Sequence, residues 1–137
     1  MTGLDTSVVI RLVIGEPPEL AHAAREYLER TTASGALPCV ISDLVVAESY
    51  HVLRHHYGVP HDQAIASLHQ LVADRTRIRP LGFSATVLPL AHDPSPGLVD
   101  RLLHAEYAAA GAERATFDRK LTLLSGTQLV PSEGSGE

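Results

Sequence analysis

The chain has 137 residues, 45% hydrophobic and 20% charged; this suits one compact domain with its own core and excludes a wholly disordered chain. No apolar run approaches the roughly 18 to 20 residues of a membrane span, and the lone Cys39 excludes an intramolecular disulfide and fits a cytoplasmic location. With a formal charge of −5 the surface is no general trap for nucleic-acid phosphates, so such binding rests on metal or on local arginines such as Arg75, Arg77 and Arg79.

Residues 2–5 read as the end of a short strand, with Asp5 at its C-terminal end. The apolar stretch Gly3–Ile14 holds Asp5 and Arg11 and lacks a basic start, so it is not expected to be a signal peptide. Thr6 or Ser7 can cap a helix over Val8–Ile14, which Gly15-Glu16-Pro17-Pro18 breaks. Glu19 to Thr32 has helical spacing, with Leu20, Ala23, Ala24, Tyr27 and Leu28 on one side, and Ser34-Gly35 is a stop. Leu37–Ile41 reads as a buried strand. Ser42 or Asp43 is the N-cap of a helix from Leu44 to about Tyr57, ended by Gly58. A helix over His61–Ala73, a strand over Arg77–Leu81 and a helix over Ser84–Ala91 follow, then a loop at Asp93–Gly97. Leu98–Ala110 is helical and closes at Gly111; Glu113–Phe117 and Gln128–Val130 read as strands. Short strands alternating with helices predict an α/β fold: an α/β/α sandwich around a mainly parallel sheet of four to five strands. Residues 1–131 are expected to form the one domain, and 132–137 a polar, disordered tail.

Four acidic residues lie inside or beside apolar runs: Asp5, Glu48, Asp100 and Asp118. Isolated carboxylates are almost never buried, because the charge loses its hydration. Each has a local role available. Asp5 and Asp118 can cap the helical segments that follow them, and Asp100 sits in a first turn, where a carboxylate favours the helix dipole. Glu48 has the weakest local role: the stripe Ile41, Val45, Glu48, Val52 points it inward at the rim of the core. Ligands of parallel sheets bind at the carboxyl ends of strands, so these side chains can meet in one oxygen-rich crevice. Such a site suits Mg²⁺ or Mn²⁺, whereas no Cys/His cluster argues for Zn²⁺. His51 and His55, at i and i+4, lack an evident third ligand and read as a solvated helix face.

The segments Leu4-Asp5-Thr6-Ser7-Val8-Val9-Ile10, Ser42-Asp43-Leu44-Val45-Val46-Ala47-Glu48, Leu98-Val99-Asp100-Arg101-Leu102-Leu103-His104-Ala105 and Gly111-Ala112-Glu113-Arg114-Ala115-Thr116-Phe117-Asp118-Arg119 occur in the order of a PIN-domain ribonuclease. The chain resembles, in particular, the VapC-type toxins of type II toxin–antitoxin pairs. The resemblance implies a PIN fold, Mg²⁺ (Mn²⁺ as substitute) as cofactor, RNA as substrate, a homodimer, and inhibition by a cognate antitoxin. It implies Asp5, Asp100 and Asp118 as metal ligands and Glu48 as a fourth ligand or a base that helps deprotonate the attacking water. It also implies accessory hydroxyls at Thr6 or Ser7 and at Thr116. Arg101 and Arg119 flank two of the aspartates, where either can meet substrate phosphates or form surface ion pairs. A non-catalytic PIN-like module that binds RNA or protein is the alternative. A small phosphatase fits less well, since Asp5-Thr6-Ser7 lacks a second aspartate and Lys120 is the only lysine.

Overall fold

A computed structural model describes residues 1–33 and 37–132. The stop expected at Ser34-Gly35 and nearly all of the expected tail (133–137) lie outside the described residues.

Helix α1 (Thr6–Ile14) follows Asp5 directly and closes on Gly15, whose φ of 76° lets its N–H turn back to the Arg11 carbonyl at 3.0 Å. Helix α2 (Pro18–Thr32) places a proline at its first position, where no amide hydrogen is needed, and buries Ala21, Ala24 and Leu28. Strand β1 (Cys39–Ile41) leads through Ser42 into α3 (Asp43–His55). The Ser42 hydroxyl caps α3 by accepting from the Leu44 amide at 3.1 Å. Helix α4 (His61–Ala73) runs back to β2 (Ile78–Pro80) through a turn at Asp74. There the Thr76 hydroxyl and amide both donate to the Asp74 carboxylate and hold its pKa below the ordinary aspartate value. The helix expected over 84–91 is a short α5 (Ser84–Val87) followed by a 3₁₀ turn, Leu88–Leu90. Helix α6 (Leu98–Ala109), β3 (Arg114–Thr116), a 3₁₀ segment (Arg119–Leu123) and β4 (Thr127–Leu129) complete the order.

All strands pair in parallel, as the α/β reading requires. β1 lies against β2 with Cys39 opposite Ile78, Val40 opposite Arg79 and Ile41 opposite Pro80. The strand expected over residues 2–5 is a single parallel bridge, Gly3 to Val40, carried by Leu4 N–H to Val40 O at 2.9 Å and Val40 N–H to Thr2 O at 2.8 Å. β3 pairs with β4, Arg114 opposite Thr127 and Thr116 opposite Leu129. The strands therefore form two ladders with helices packed around them in an α/β/α arrangement.

The core is aliphatic, as the near absence of aromatics dictates. Val9, Ile41, Val46, Leu53, Ile65, Leu68, Ile78 and Leu88 are among its fully enclosed members, drawn from α1, β1, α3, α4, β2 and the 3₁₀ turn. Among the described residues no helix is long and apolar enough to cross a membrane.

Candidate active site

The helix stripe that placed Glu48 inward is corrected by the structure. Ile41 belongs to β1, so the phase counted from it does not carry into a helix that starts at Asp43. The inward residues of α3 are Val46, Ser49 and Leu53; Val45 and Val52 are half-buried and Glu48 is exposed. Asp5 and Asp118 are exposed as well, and Asp100 is half-buried. Three of the four carboxylates thus lie exposed at the surface, and only Asp100 loses part of its hydration on folding.

Asp5 and Glu48 are brought into one neighbourhood. α1 packs along α3, and the Thr6 hydroxyl donates to Glu48 Oε1. Asp5 occupies the N-cap position of α1, yet its side chain accepts no cap bond from the helix amides. The Ser7 hydroxyl donates to Asp5 Oδ2 at 3.3 Å instead. The cap role that the sequence offers for Asp5 is therefore not what holds it, and the carboxylate stays exposed, one residue from the Thr6 that contacts Glu48.

Asp118 does cap. Its Oδ1 accepts from the Lys120 amide at 2.9 Å at the head of the 3₁₀ segment, and the Thr116 hydroxyl accepts from the Asp118 amide at 3.0 Å. Asp100, in the first turn of α6, is held by Arg114, which no local pattern singles out. Arg114 Nη2 meets Asp100 Oδ1 at 2.9 Å, and Nη1 donates to the Asp100 carbonyl at 3.0 Å. The Arg114 side chain is only 11% exposed, so this contact is shielded from water far more than an ordinary surface pair. Arg101 donates Nε to the Pro96 carbonyl at 3.0 Å and pins the proline-rich loop ahead of α6. Arg119 is exposed.

Oxygen-only donors are the right chemistry for a hard divalent cation. Their placement is not that of a formed cage: among the described residues no three Asp, Glu, His or Cys side chains converge to hold a metal. Two carboxylates lie at the α1–α3 junction, linked only through the Thr6–Glu48 bond, one is paired with Arg114, and one is committed to its own 3₁₀ cap. As placed, the residues do not fit a resident cation.

A second acidic residue of the same loop region has a purely structural task. The Asp43 carboxylate accepts from the Phe83 amide at 2.8 Å and from the Ser84 amide and hydroxyl, tying the start of α3 to the start of α5. Sequence reasoning offered Asp43 only as an alternative cap, because a partner forty residues away leaves no local signal.

No curated protein matches the chain. A model of the PIN domain, a fold that generally serves nucleases and typically works with divalent metal ions, matches residues 4–126. That span runs from the residue before Asp5 through α6, Asp100 and Asp118, and on this match the chain belongs to the PIN-domain family.

Proposed function

We propose that this protein is a metal-dependent endoribonuclease that hydrolyses RNA phosphodiester bonds, the toxin of a type II toxin–antitoxin pair acting in the cytoplasm. The observation that carries the reading is the α1–α3 junction. There Asp5, at the head of a helix it does not cap, directly precedes Thr6, whose hydroxyl donates to Glu48. Two surface carboxylates without a structural task, in a PIN domain, are the start of a phosphate-processing site. Asp100 and Asp118 complete the proposed set, with Ser7 and Thr116 as hydroxyls that set Asp5 and the Asp118 turn. Arg101 and Arg119, next to Asp100 and Asp118 in the chain, are cations available to substrate phosphates. Mg²⁺, with Mn²⁺ as substitute, is the cofactor this reading requires, and its binding asks Asp100 to exchange its Arg114 partner. A homodimer and a cognate antitoxin belong to the same proposal. A groove of about 410 Å³ between α1 and α2, with Val8, Leu20, Ala23 and Tyr27 beside Ser7 and Arg11, is a place where an antitoxin segment can lie next to Asp5.

A second reading has its own support. The engagement of Asp100 by Arg114 and of Asp118 by its cap favours a PIN-like module that binds RNA or protein without cutting. One experiment separates the two: cleavage of a structured RNA by the wild type with Mg²⁺ or with EDTA, beside Asp5→Asn and Asp100→Asn. The nuclease reading expects EDTA to abolish cleavage and each variant to lose roughly a hundredfold or more. RNA bound but left intact by the Mg²⁺-loaded wild type would establish the binding module.

A further inference from the structure

A shallow, largely open groove of about 350 Å³ runs along α3 from Glu48. It is lined by Glu48, His51, Val52, His55 and His56. From Glu48 to His55 the helix rises about 10 Å, so the groove adjoins the carboxylates and extends one side chain after another away from them. The His51 and His55 rings stack nearly in parallel, 12° between planes and 5.8 Å between centroids. Tyr50 abuts His51 edge-on at 5.5 Å and 74°, which fixes the ring that faces the groove. His22 and His92 each lie beside an acidic side chain, Glu26 and Asp62; among the described residues His51, His55 and His56 have no such ion-pair partner. At the far end of the α1–α3 seam Arg11 donates Nη1 to the Tyr57 hydroxyl at 3.2 Å, which presents a guanidinium beyond the histidines.

A metal is the first ligand suggested by an i, i+4 histidine pair, yet no three ligating side chains converge here among the described residues. The outer face of the stacked imidazole pair, beside Val52 and with ring nitrogens able to hydrogen-bond, instead matches an unpaired nucleobase. A base offers a π face and hydrogen-bonding edges, and single-stranded RNA is recognised by stacking on such side chains. We propose that this groove is a nucleotide subsite. An unpaired RNA base stacks on the His51–His55 pair, and Arg11 meets a neighbouring phosphate, so that the chain continues over Asp5 and Glu48. The subsite rests on the ribonuclease reading, and it supplies what an acidic protein otherwise lacks: a surface that gains from the base, where phosphate attraction is weak.

The test is binding without cleavage. The full chain is titrated in EDTA against a short fluorescein-labelled single-stranded RNA of mixed sequence, read by anisotropy. His51→Ala/His55→Ala should bind about tenfold more weakly, the loss of one stacking contact, while His22→Ala binds as the wild type does. His51→Gln/His55→Gln, which keeps hydrogen-bonding groups but removes the ring faces, should fall with the alanine variant. In the wild type, RNA should shift the imidazole resonances of His51 and His55 and leave those of His22 in place. Wild-type affinity in both double variants with unshifted imidazole signals overturns the subsite and leaves the nuclease reading standing. Absence of RNA binding by the wild type in EDTA overturns the subsite, and Mg²⁺-dependent cleavage by the same protein then keeps the nuclease reading standing. Histidine-dependent binding without Mg²⁺-dependent cleavage supports the subsite and overturns the nuclease reading.

Discussion

At residue scale, the same pattern, an aspartate followed by polar residues and a helical run, has two outcomes in this chain. Asp118 turns forward and takes the Lys120 amide, so its carboxylate is committed to the backbone. Asp5 is followed by Ser7, whose hydroxyl donates to it, and the α1 amides receive no side-chain cap. Local spacing offered a cap to both; only the direction of each side chain tells them apart. Asp43 shows the opposite case, a carboxylate with a firm task and no local signal. Gly82 immediately precedes the amides that Asp43 holds, and a Cβ there would run into the Asp43 carboxylate. That carboxylate cannot swing aside without releasing Phe83 and Ser84. Gly82→Ala is therefore expected to destabilise the fold by about 1–3 kcal/mol, and Asp43→Ala by a similar amount. The two should be less than additive, since they break the same clasp. Urea midpoints with unchanged slopes check this; a Gly82→Ala midpoint at the wild-type value would remove the clasp from the account.

Among the elements, the helices were legible because each carries a long apolar period between Pro or Gly stops, and α2, α3, α4 and α6 begin and end within a few residues of the expected points. Phase was harder to read than existence. Counting α3 from Ile41 put Glu48 inside, whereas the Ser42 cap resets the count and sends Val46, Ser49 and Leu53 inward. The buried run at Cys39–Ile41 and the short stretch around Ile78–Pro80 were legible as strands, but nothing local shows that residues 2–4 join by one bridge or that β3 and β4 pair apart from β1 and β2. Strand partners are long-range, and a short run specifies them weakly. The corrected phase of α3 has a consequence. Ser49 is fully buried on the inward stripe, and its hydroxyl has no hydrogen-bond partner. Removing an unpaired hydroxyl deletes a desolvation cost, and alanine is the better helix former. Ser49→Ala is expected to be neutral or to raise stability by up to about 1 kcal/mol. A fall of more than that in thermal or urea unfolding would mean that the hydroxyl is paired after all.

For the molecule as a whole, the main core gathers α1 to α6 with β1 and β2, and it contains no residue of the β3–β4 unit. Leu121 is buried within that unit, while Phe117 and Leu123 are 72% and 81% exposed. No backbone hydrogen bond joins residues 113–130 to the body among the described residues; the side-chain bonds that cross are those of Arg114 to Asp100. The Thr127 hydroxyl is buried without a partner in the same unit. A segment held by one arginine rather than by shared core opens at a lower free energy than the global unfolding of the domain. Amides of β3 and β4 are therefore expected to exchange with solvent about tenfold or more faster than those of β1 and α3 in native-state hydrogen exchange. Arg114→Ala should speed exchange in β3 and β4 further, with β1 and α3 unchanged, because it removes the bonds to Asp100 and nothing in the core. Equal protection across the two ladders, or a variant that loosens β1 as much as β3, would show that the unit and the body unfold as one. The same latch bears on the proposed site. Asp118 rides on the unit and Asp100 on the body, so the distance between two of the four carboxylates is set by whatever sets the position of Arg114.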